Sequence, residues 1–249
     1  MILNSLKQYA QEKAAGLIVT DVRIGMCYTA VLLDNGSAGV AYTFRKEVPP
    51  GCACFQTGDR LAGQPVSDIL EYATSENLLE RTLGIAAANA LINYSRAELI
   101  AGDTLELVAP GEDDVVGMVG YFGPLVPVLK KRVKELRIFE KVTMPSQDVY
   151  PEQQAFDFLP SCSIALITST SLINLTADSL LKASRKCRTI ALVGSSTPLA
   201  SDIFEPYGVN LLSGIVITDT QGILRIVSEC GGTRNFKGHV NKVNLVCHS

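Results

Sequence analysis

Three segments rich in glycine or hydroxyl side chains follow apolar, strand-like runs, and they carry the strongest chemical signals of the sequence. The first is GMVGYFGP at residues 117–124, directly before a helical pattern. Its glycines recur at i, i+3 and i+6, whereas the dinucleotide-binding fingerprint places them at i, i+2 and i+5. Glycines let backbone N–H groups approach an anionic group at a helix start. We therefore predict that the segment binds a ligand through Gly117, Gly120, Tyr121, Phe122 and Gly123. The alternative is a tight turn with a structural role only.

The other two segments follow later strand-like runs. Residues 167–176 read ITSTSLINLT, in which six of ten side chains are short hydroxyls or amides, and residues 193–198 read VGSSTP. Ligands of open α/β sheets gather beyond the carboxyl ends of the strands, so we expect these segments to converge at one sheet edge. Helix capping is the alternative for Asn174 and Thr176. The predicted ligand contacts are Thr168, Ser169, Thr170, Asn174, Gly194, Ser195, Ser196 and Thr197.

A carboxylate stands where nucleotide-binding folds often place one. Glu140 closes the strand-like run after the glycine segment, 20 residues beyond Gly120. An acidic residue in this position often holds the hydroxyls of a ribose. The pattern therefore predicts a nucleotide-like cofactor, either a dinucleotide or S-adenosylmethionine, with a surface carboxylate as the alternative.

Metal and catalytic signals in the sequence are weak. Cys52 and Cys54 lie one residue apart, but a structural zinc site uses four ligands, and the sequence has no second closely spaced pair. Glu140, Asp157 and Asp59 could bind a hard cation only if the fold brings them together. His239 and His248 have little support as general bases. The sequence therefore assigns neither a metal ligand nor a catalytic residue.

The elements that must position these residues change type along the chain. An amphipathic helix over residues 3–14 is followed by a predicted antiparallel meander over 19–44, whose Asn35-Gly36 pair favours a hairpin turn. Helices are predicted over 66–70 and 75–93, with Ser75 as N-cap and small residues suited to close packing. Strands followed by helices indicate an α+β unit.

From residue 113 onward, apolar strands alternate with helices, which is typical of a mostly parallel α/β sheet. Turn and acidic residues over 102–111 separate the two patterns. We therefore predict an α+β domain at 1–108 and an α/β domain at 109–249, giving an α/β protein overall.

Composition narrows the function classes. The 249 residues are 47% hydrophobic and 19% charged with a net charge of −3, which argues against intrinsic disorder and a generic nucleic-acid binder. The longest apolar stretch, 115–129, is interrupted by glycine and proline and is shorter than the ~20 residues of a membrane span. Seven scattered cysteines and no secretory signal pattern favour a reduced, cytoplasmic protein without membrane contact.

These segments together resemble a family. Residues 116–124, 167–176 and 194–198, followed by Phe204 and Gly208, are similar to those of a two-domain prokaryotic family named for putative heavy-metal chelation. In that family an enolase N-terminal-like domain precedes a Rossmann-like domain. The sequence departs from the family pattern where Ser169 and Leu175 replace glycine and Ser195 replaces proline. These departures concern the identity of the ligand more than the fold.

The resemblance implies a site in the cleft between the domains, to which the first domain would contribute Thr57, Asp59, Asn89 and Asn93. It favours binding of a metal ion or a metal-related small molecule. The residues alone leave two alternatives open, namely an enzyme with the nucleotide-like cofactor and a non-catalytic binding or scaffold protein. Whether the protein is an enzyme is left open, and an exposed strand edge or apolar patch could support a homodimer.

Overall fold

The computed structural model describes residues 1–47, 60–141 and 148–247, and these form an α/β structure with two sheets. The strands are β1 Val19–Ile24, β2 Tyr28–Leu33, β3 Ala38–Tyr42, β4 Ile100–Ala101, β5 Val115–Val119, β6 Glu135–Glu140, β7 Val149–Pro151, β8 Ile164–Thr168, β9 Thr189–Val193, β10 Leu211–Ile217 and β11 Val240–Val246. The helices are α1 Ile2–Gln11, α2 Val66–Glu71, α3 Leu78–Ile92, α4 Thr104–Val108, α5 Val126–Arg132, α6 Ala155–Phe158, α7 Thr170–Ile173, α8 Ala177–Ala183, α9 Ser201–Phe204 and α10 Thr220–Ser228. Short 3-10 helices lie at Tyr72–Thr74, Glu152–Gln154, Leu159–Ser161 and Glu205–Tyr207.

The N-terminal sheet is the predicted meander. β2 pairs antiparallel with both β1 and β3, and the turn between β2 and β3 contains Asn35 and Gly36. Gly36 has φ +84°, a left-handed conformation that glycine adopts without strain. The side chain of Asn35 accepts a hydrogen bond from the Ser37 N–H. The meander expected over residues 19–44 is therefore confirmed.

Helix α3 packs closely against this sheet because small residues remove side-chain bulk from the contact. A Cβ atom at Gly39 of β3 would lie 2.2 Å from the Ala90 nitrogen. A Cβ atom at Gly84 of α3 would lie 2.1 Å from the Ala73 nitrogen. The close packing predicted for α3 is confirmed.

The N-cap predicted for α3 is wrong by two residues. The cap is Asn77, whose Oδ1 accepts hydrogen bonds from the Leu79 and Glu80 N–H groups. Ser75 lies two residues earlier, where its hydroxyl accepts a hydrogen bond from the Asn77 N–H and donates one to Glu80. Serine and asparagine are both good N-caps, so their spacing alone could not separate them.

The large sheet has the strand order β4-β11-β10-β9-β8-β5-β6-β7. All pairings from β10 to β7 are parallel, whereas β11 is antiparallel to both β10 and β4. In chain order the parallel strands follow the 3-2-1-4-5-6 arrangement of doubly wound sheets. The predicted mostly parallel α/β sheet is confirmed, and its strand order reverses between β5 and β8.

The segment expected to separate the two domains contains ordered structure. β4 pairs with β11, and the Thr104 hydroxyl of α4 hydrogen-bonds to the Ser213 hydroxyl of β10. Asp103 caps α4 by accepting a hydrogen bond from the Leu105 N–H, which explains why an acidic stretch is helical. β4 and α4 thus lie with the large sheet, and the division between 1–108 and 109–249 stays a prediction.

The helices within the described ranges do not include one that is both long and apolar enough to cross a membrane. The longest, α3, has 15 residues and carries Arg81 and Glu80.

Candidate functional site

Three strand ends meet where the strand order reverses. Gly120 follows β5, Thr168 ends β8 and Gly194 follows β9. Thr168 is paired with Val193, and the Ser169 N–H donates to the Val193 carbonyl, so the second and third segments lie side by side. The structure therefore brings the three predicted segments together. Their role as ligand contacts stays a prediction.

On the β6 side of these strand ends lies a cavity of about 530 Å³, here called the charged cleft. Its wall combines residues following β3 with the ends of β5, β6 and β8. It is lined by Tyr42, Phe44, Arg45, Lys46, Glu47, Val119, Gly120, Tyr121, Phe122, Phe139, Glu140, Lys141, Glu152, Thr168, Thr170, Ser171, Asn174 and Thr176. Charges of both signs thus surround a set of hydroxyl groups.

An ion pair joins the two walls of the charged cleft. The Lys141 ammonium lies 2.6 Å from a Glu47 carboxylate oxygen and 5.1 Å from the centroid of the Phe44 ring. The hydrogen bond to Glu47 raises the pKa of Lys141, with a smaller opposing effect of burial. The side chain of Glu140 binds its own backbone, since its Oε1 accepts a hydrogen bond from the Lys141 N–H at 2.8 Å.

On the β10 side lies a second cavity of about 370 Å³, here called the hydroxyl pocket. It is lined by Tyr28, Gly102, Asp103, Thr104, Tyr121, Phe122, Gly123, Pro124, Leu125, Thr168, Ser169, Thr170, Val193, Gly194, Ser195, Ser196, Ser213, Gly214, Ile215, Thr233 and Lys242. Tyr121, Phe122, Thr168 and Thr170 line both cavities, so the two share a wall.

Each cavity contains a buried serine hydroxyl without a hydrogen-bond partner among the described residues. Ser169 is 0% exposed and lines the hydroxyl pocket, and Ser171 is 1% exposed and lines the charged cleft. Their neighbour Thr170 is different, since its hydroxyl lies 2.9 Å from that of Thr168. A buried polar group without a partner costs free energy, and such groups in native proteins often belong to binding sites. The two serines therefore mark both cavities as candidate ligand sites.

Polar side chains at the C-terminal end of α3, where Asn93 is the C-cap, fix the segment after β9. The Asn93 amide donates to the Thr197 carbonyl at 2.9 Å, and its Oδ1 accepts the Leu199 N–H at 2.8 Å. Asn89 is 1% exposed and donates to the Ser196 carbonyl at 3.1 Å. These contacts fix backbone groups of the segment after β9, and the Ser196 hydroxyl is itself held by the Tyr42 N–H. Asn89 thus helps to position the segment after β9. Direct contact of Asn89 with a ligand stays a prediction.

The glycines of the first segment also have packing roles. Gly117 lies inside β5, where a Cβ atom would be 2.7 Å from Leu159 Cδ2. Gly120 has φ +90°, and its Cβ would lie 3.0 Å from the Thr168 Cβ. Gly123 has ordinary space around it. Packing alone therefore explains the glycine at position 117. Gly120 also lines the charged cleft, and Gly123 lines the hydroxyl pocket.

Comparison with known proteins places this architecture in a family. The DUF4213 family model matches residues 7–92 and the DUF364 family model matches residues 103–246, and both are described as putative heavy-metal chelation. The chain belongs to this heavy-metal chelation family. The expected resemblance is confirmed.

Relatives of this chain in the family span its full length. An uncharacterized protein of Methanocaldococcus jannaschii is 28% identical over 257 residues, covering 98% of both chains. A DUF364 protein of unknown function from Pyrococcus horikoshii superposes with a TM-score of 0.85 at 25% identity, over 99% of this chain and 100% of that one. A DUF364 protein of unknown function from Desulfitobacterium hafniense gives 0.80 at 25% identity, over 98% of each chain. These solved structures support the same fold.

The name of the heavy-metal chelation family raises the question of metal ligands. Across residues 1–47, 60–141 and 148–247, no three or more His, Cys, Asp or Glu side chains form a group that could hold a metal. Glu140 lines the charged cleft, and Asp157 of α6 does not. Four predicted candidates lie outside the described residues, namely Cys52, Cys54, Thr57 and Asp59.

His239 contributes little to either cavity. His239 lies outside both linings, and its Nδ1 is 2.7 Å from a carboxylate oxygen of Asp219, the N-cap of α10. The hydrogen bond from the Gly222 N–H, followed by that from His239, lowers the pKa of Asp219. His248 lies outside the described residues.

Several lining residues were missed by the sequence analysis. Tyr28 lies on β2, and Arg45, Lys46 and Glu47 follow β3. A run of charges directly after a predicted strand is a signal that could have found the latter three. Nothing in the local sequence around Tyr28 indicates that it would face the ends of strands far along the chain.

Proposed function

We propose that this member of the heavy-metal chelation family binds a small metal-chelating molecule, or its metal complex, in the charged cleft. This cleft would be the site between domains 1–108 and 109–249. The observation that carries the proposal is the buried, unpartnered hydroxyl of Ser171 in the wall of a cleft that cations and carboxylates also line. Its position at the strand-order reversal is where doubly wound sheets bind ligands.

The charges of the cleft favour a chelate over a bare cation. Arg45, Lys46 and Lys141 are suited to carboxylate or phosphate groups, which are the donor groups of many chelators. Glu140 and Glu152 line the same cleft and offer oxygen atoms to a hard metal ion that such a molecule carries. The aromatic rings of Tyr42 and Phe44 supply apolar contact area beside these charges.

The proposal is tested by native mass spectrometry and elemental analysis of protein purified without chelator. The wild-type protein is expected to retain a bound mass together with a metal, or to gain nickel–citrate on incubation. Arg45→Gln combined with Lys46→Gln should lose this mass with an unchanged melting temperature, because both side chains are exposed. Arg225→Gln is the matched control, since Arg225 lies on α10 in an exposed pair with Glu229.

A wild-type protein whose native and denatured masses agree, and which gains no mass with nickel–citrate, overturns the proposal. If the Arg45→Gln, Lys46→Gln variant and the wild type retain the same amount of the metal complex, the charged cleft is not its binding site.

A second candidate is an enzyme with a nucleotide-like cofactor. The 3-2-1-4-5-6 strand order favours it, as does the position of Glu140 at the end of β6, the strand after the glycine segment. Against it, α5 after this segment has only seven residues and has Pro127 in its first turn, so it offers few N–H donors to a diphosphate. A retained nucleotide mass with the ultraviolet absorbance of a base would favour this candidate.

A further inference from the structure

We infer that the hydroxyl pocket is a second binding compartment, which takes an uncharged, nucleoside-like part of the ligand: a flat heteroaromatic ring that carries free hydroxyl groups. Nothing in the proposed function requires this pocket. Three features of its lining support the assignment: a buried hydroxyl, few charges and several apolar side chains.

The buried Ser169 hydroxyl is the first observation. It is fully buried, has no hydrogen-bond partner among the described residues and lines the pocket. Gly194 lies opposite with φ +134°, and a Cβ atom there would be only 2.9 Å from the Ser169 Oγ. Glycine at position 194 thus leaves room for the Ser169 hydroxyl in the wall of the pocket, where a larger residue would collide with it. A ligand hydroxyl or ring nitrogen that reaches this wall would complete the hydrogen bonding of Ser169.

The second observation is the near-neutral character of the lining. Among its residues, Asp103 and Lys242 carry charge, and Asp103 already accepts the Leu105 N–H as the cap of α4. Tyr28 hydrogen-bonds to Ser195, and burial, the largest effect, raises the pKa of Tyr28 to about 12, so this phenol stays protonated. Apart from Asp103 and Lys242, the pocket therefore presents neutral donors and acceptors.

The third observation is that apolar surfaces accompany these hydroxyls. Phe122, Leu125, Val193 and Ile215 line the pocket together with the polar groups. Apolar side chains with a few placed polar groups are typical of pockets for organic ligands. A flat ring would contact the apolar surfaces while its polar edge and its hydroxyls reach the serines and threonines.

The position of the pocket links it to the charged cleft. Because Tyr121, Phe122, Thr168 and Thr170 line both cavities, one ligand can place its charged part on one side of the strand-order reversal and its neutral part on the other. Only this linkage rests on the proposed function. The pocket is tested separately with an uncharged probe, so either idea can fail alone.

The probe is adenosine, which has a neutral ring and free hydroxyls, and its binding to the full chain is measured by saturation-transfer NMR and calorimetry. Ser169→Ala is expected to weaken adenosine binding by about tenfold, the effect of losing one hydrogen bond of ~1.4 kcal/mol. Its melting temperature should be equal to or higher than that of the wild type, since the alanine removes a buried group without a partner.

Two matched serine variants show whether the effect belongs to this pocket. Ser184→Ala removes a buried hydroxyl at the C-cap of α8 that donates to the Leu180 carbonyl, so it should leave adenosine binding unchanged. Ser171→Ala removes the unpartnered hydroxyl of the charged cleft and should affect adenosine less than Ser169→Ala does. The Arg45→Gln, Lys46→Gln variant should still bind adenosine even if it loses the metal complex.

Failure of adenosine to bind the wild type at millimolar concentration overturns the inference. Binding that is equally strong in Ser169→Ala, or that is weakened instead by Ser171→Ala, does so too. Adenosine binding by a wild type that retains no metal and takes up no nickel–citrate would support the hydroxyl pocket while removing the proposed function.

Discussion

At the scale of single residues, the backbone at Leu175 carries strain that a glycine would not. Its φ is +64° and its side chain is 52% exposed, so a leucine adopts a left-handed conformation with little burial in return. This conformation costs an L-residue roughly 1 kcal/mol. Leu175→Gly is therefore expected to raise the free energy of unfolding by about 0.5 kcal/mol, measured by urea denaturation, after the greater freedom of unfolded glycine is subtracted.

Ser179→Gly is the control for this effect. Ser179 is exposed in the middle of α8, where glycine is a poor helix former, so the variant should lose about 0.5 kcal/mol. If Leu175→Gly were as destabilised as this control, the contacts of the leucine would outweigh its backbone strain.

The residues of the candidate site were predictable where one local signal was enough. Hydroxyl and glycine residues directly after apolar strands led to Thr168, Ser169 and Gly194, because parallel strands place their carboxyl ends at one edge. Ser171 was missed, because whether a hydroxyl within a helical turn has a partner depends on packing that sequence spacing does not encode. Lys141 was missed because its partner Glu47 is 94 residues away.

At the scale of elements, α3 fixes the segment after β9 through Asn93. Replacement by alanine leaves the Thr197 carbonyl and the Leu199 N–H unpaired in a buried position. Asn93→Ala should therefore lower the free energy of unfolding by about 2 kcal/mol. Hydrogen exchange of the Leu199 amide, followed by NMR, should become faster as well.

Asn4→Ala provides the comparison, because Asn4 is an exposed residue of α1. It should change stability by less than ~0.5 kcal/mol and leave the exchange of the Leu199 amide as it is. An Asn93→Ala variant with the same small effect would mean that water replaces the asparagine and that α3 does not position the segment.

Elements with local signals were predicted, and elements defined by distant partners were not. The Asn-Gly turn between two β-rich runs was enough to predict the meander of β1 to β3, and the small residues of α3 indicated its close packing. By contrast, β4 has two residues and exists because β11 pairs with it from the far end of the chain. No pattern within so short a segment could predict that pairing.

At the scale of the whole molecule, a charge cluster ties the strands together at the edge opposite the candidate site. Asp114, just before β5, accepts hydrogen bonds from the Ser163 hydroxyl and the Gly111 N–H, each at 2.8 Å. Its carboxylate also lies 2.5 Å from the guanidinium of Arg188. Ser163 precedes β8 and Arg188 precedes β9, so one carboxylate joins the starts of three neighbouring strands. This contact therefore links the strands at the end opposite to the one that carries the two cavities.

This cluster makes the stability of the fold depend on acid pH. The hydrogen bond from Arg188, the largest effect, lowers the pKa of Asp114 from 3.8 to about 2. A carboxyl with a lowered pKa in the folded state stabilises that state fully above its unfolded pKa, and this contribution is lost as the pH falls from 3.8 toward 2. The advantage of the wild type over Asp114→Asn in free energy of unfolding should thus shrink by about 1–2 kcal/mol on acidification through this window.

The measurement is urea denaturation of both proteins at a series of pH values above, within and below that window. Asp113→Asn removes the same charge at the exposed neighbouring position, so its difference from the wild type should change much less with pH. A constant difference between Asp114→Asn and the wild type would show that folding does not lower the pKa of Asp114. The register of β5, β8 and β9 would then depend on their backbone pairing and on Ser163, and not on the ion pair with Arg188.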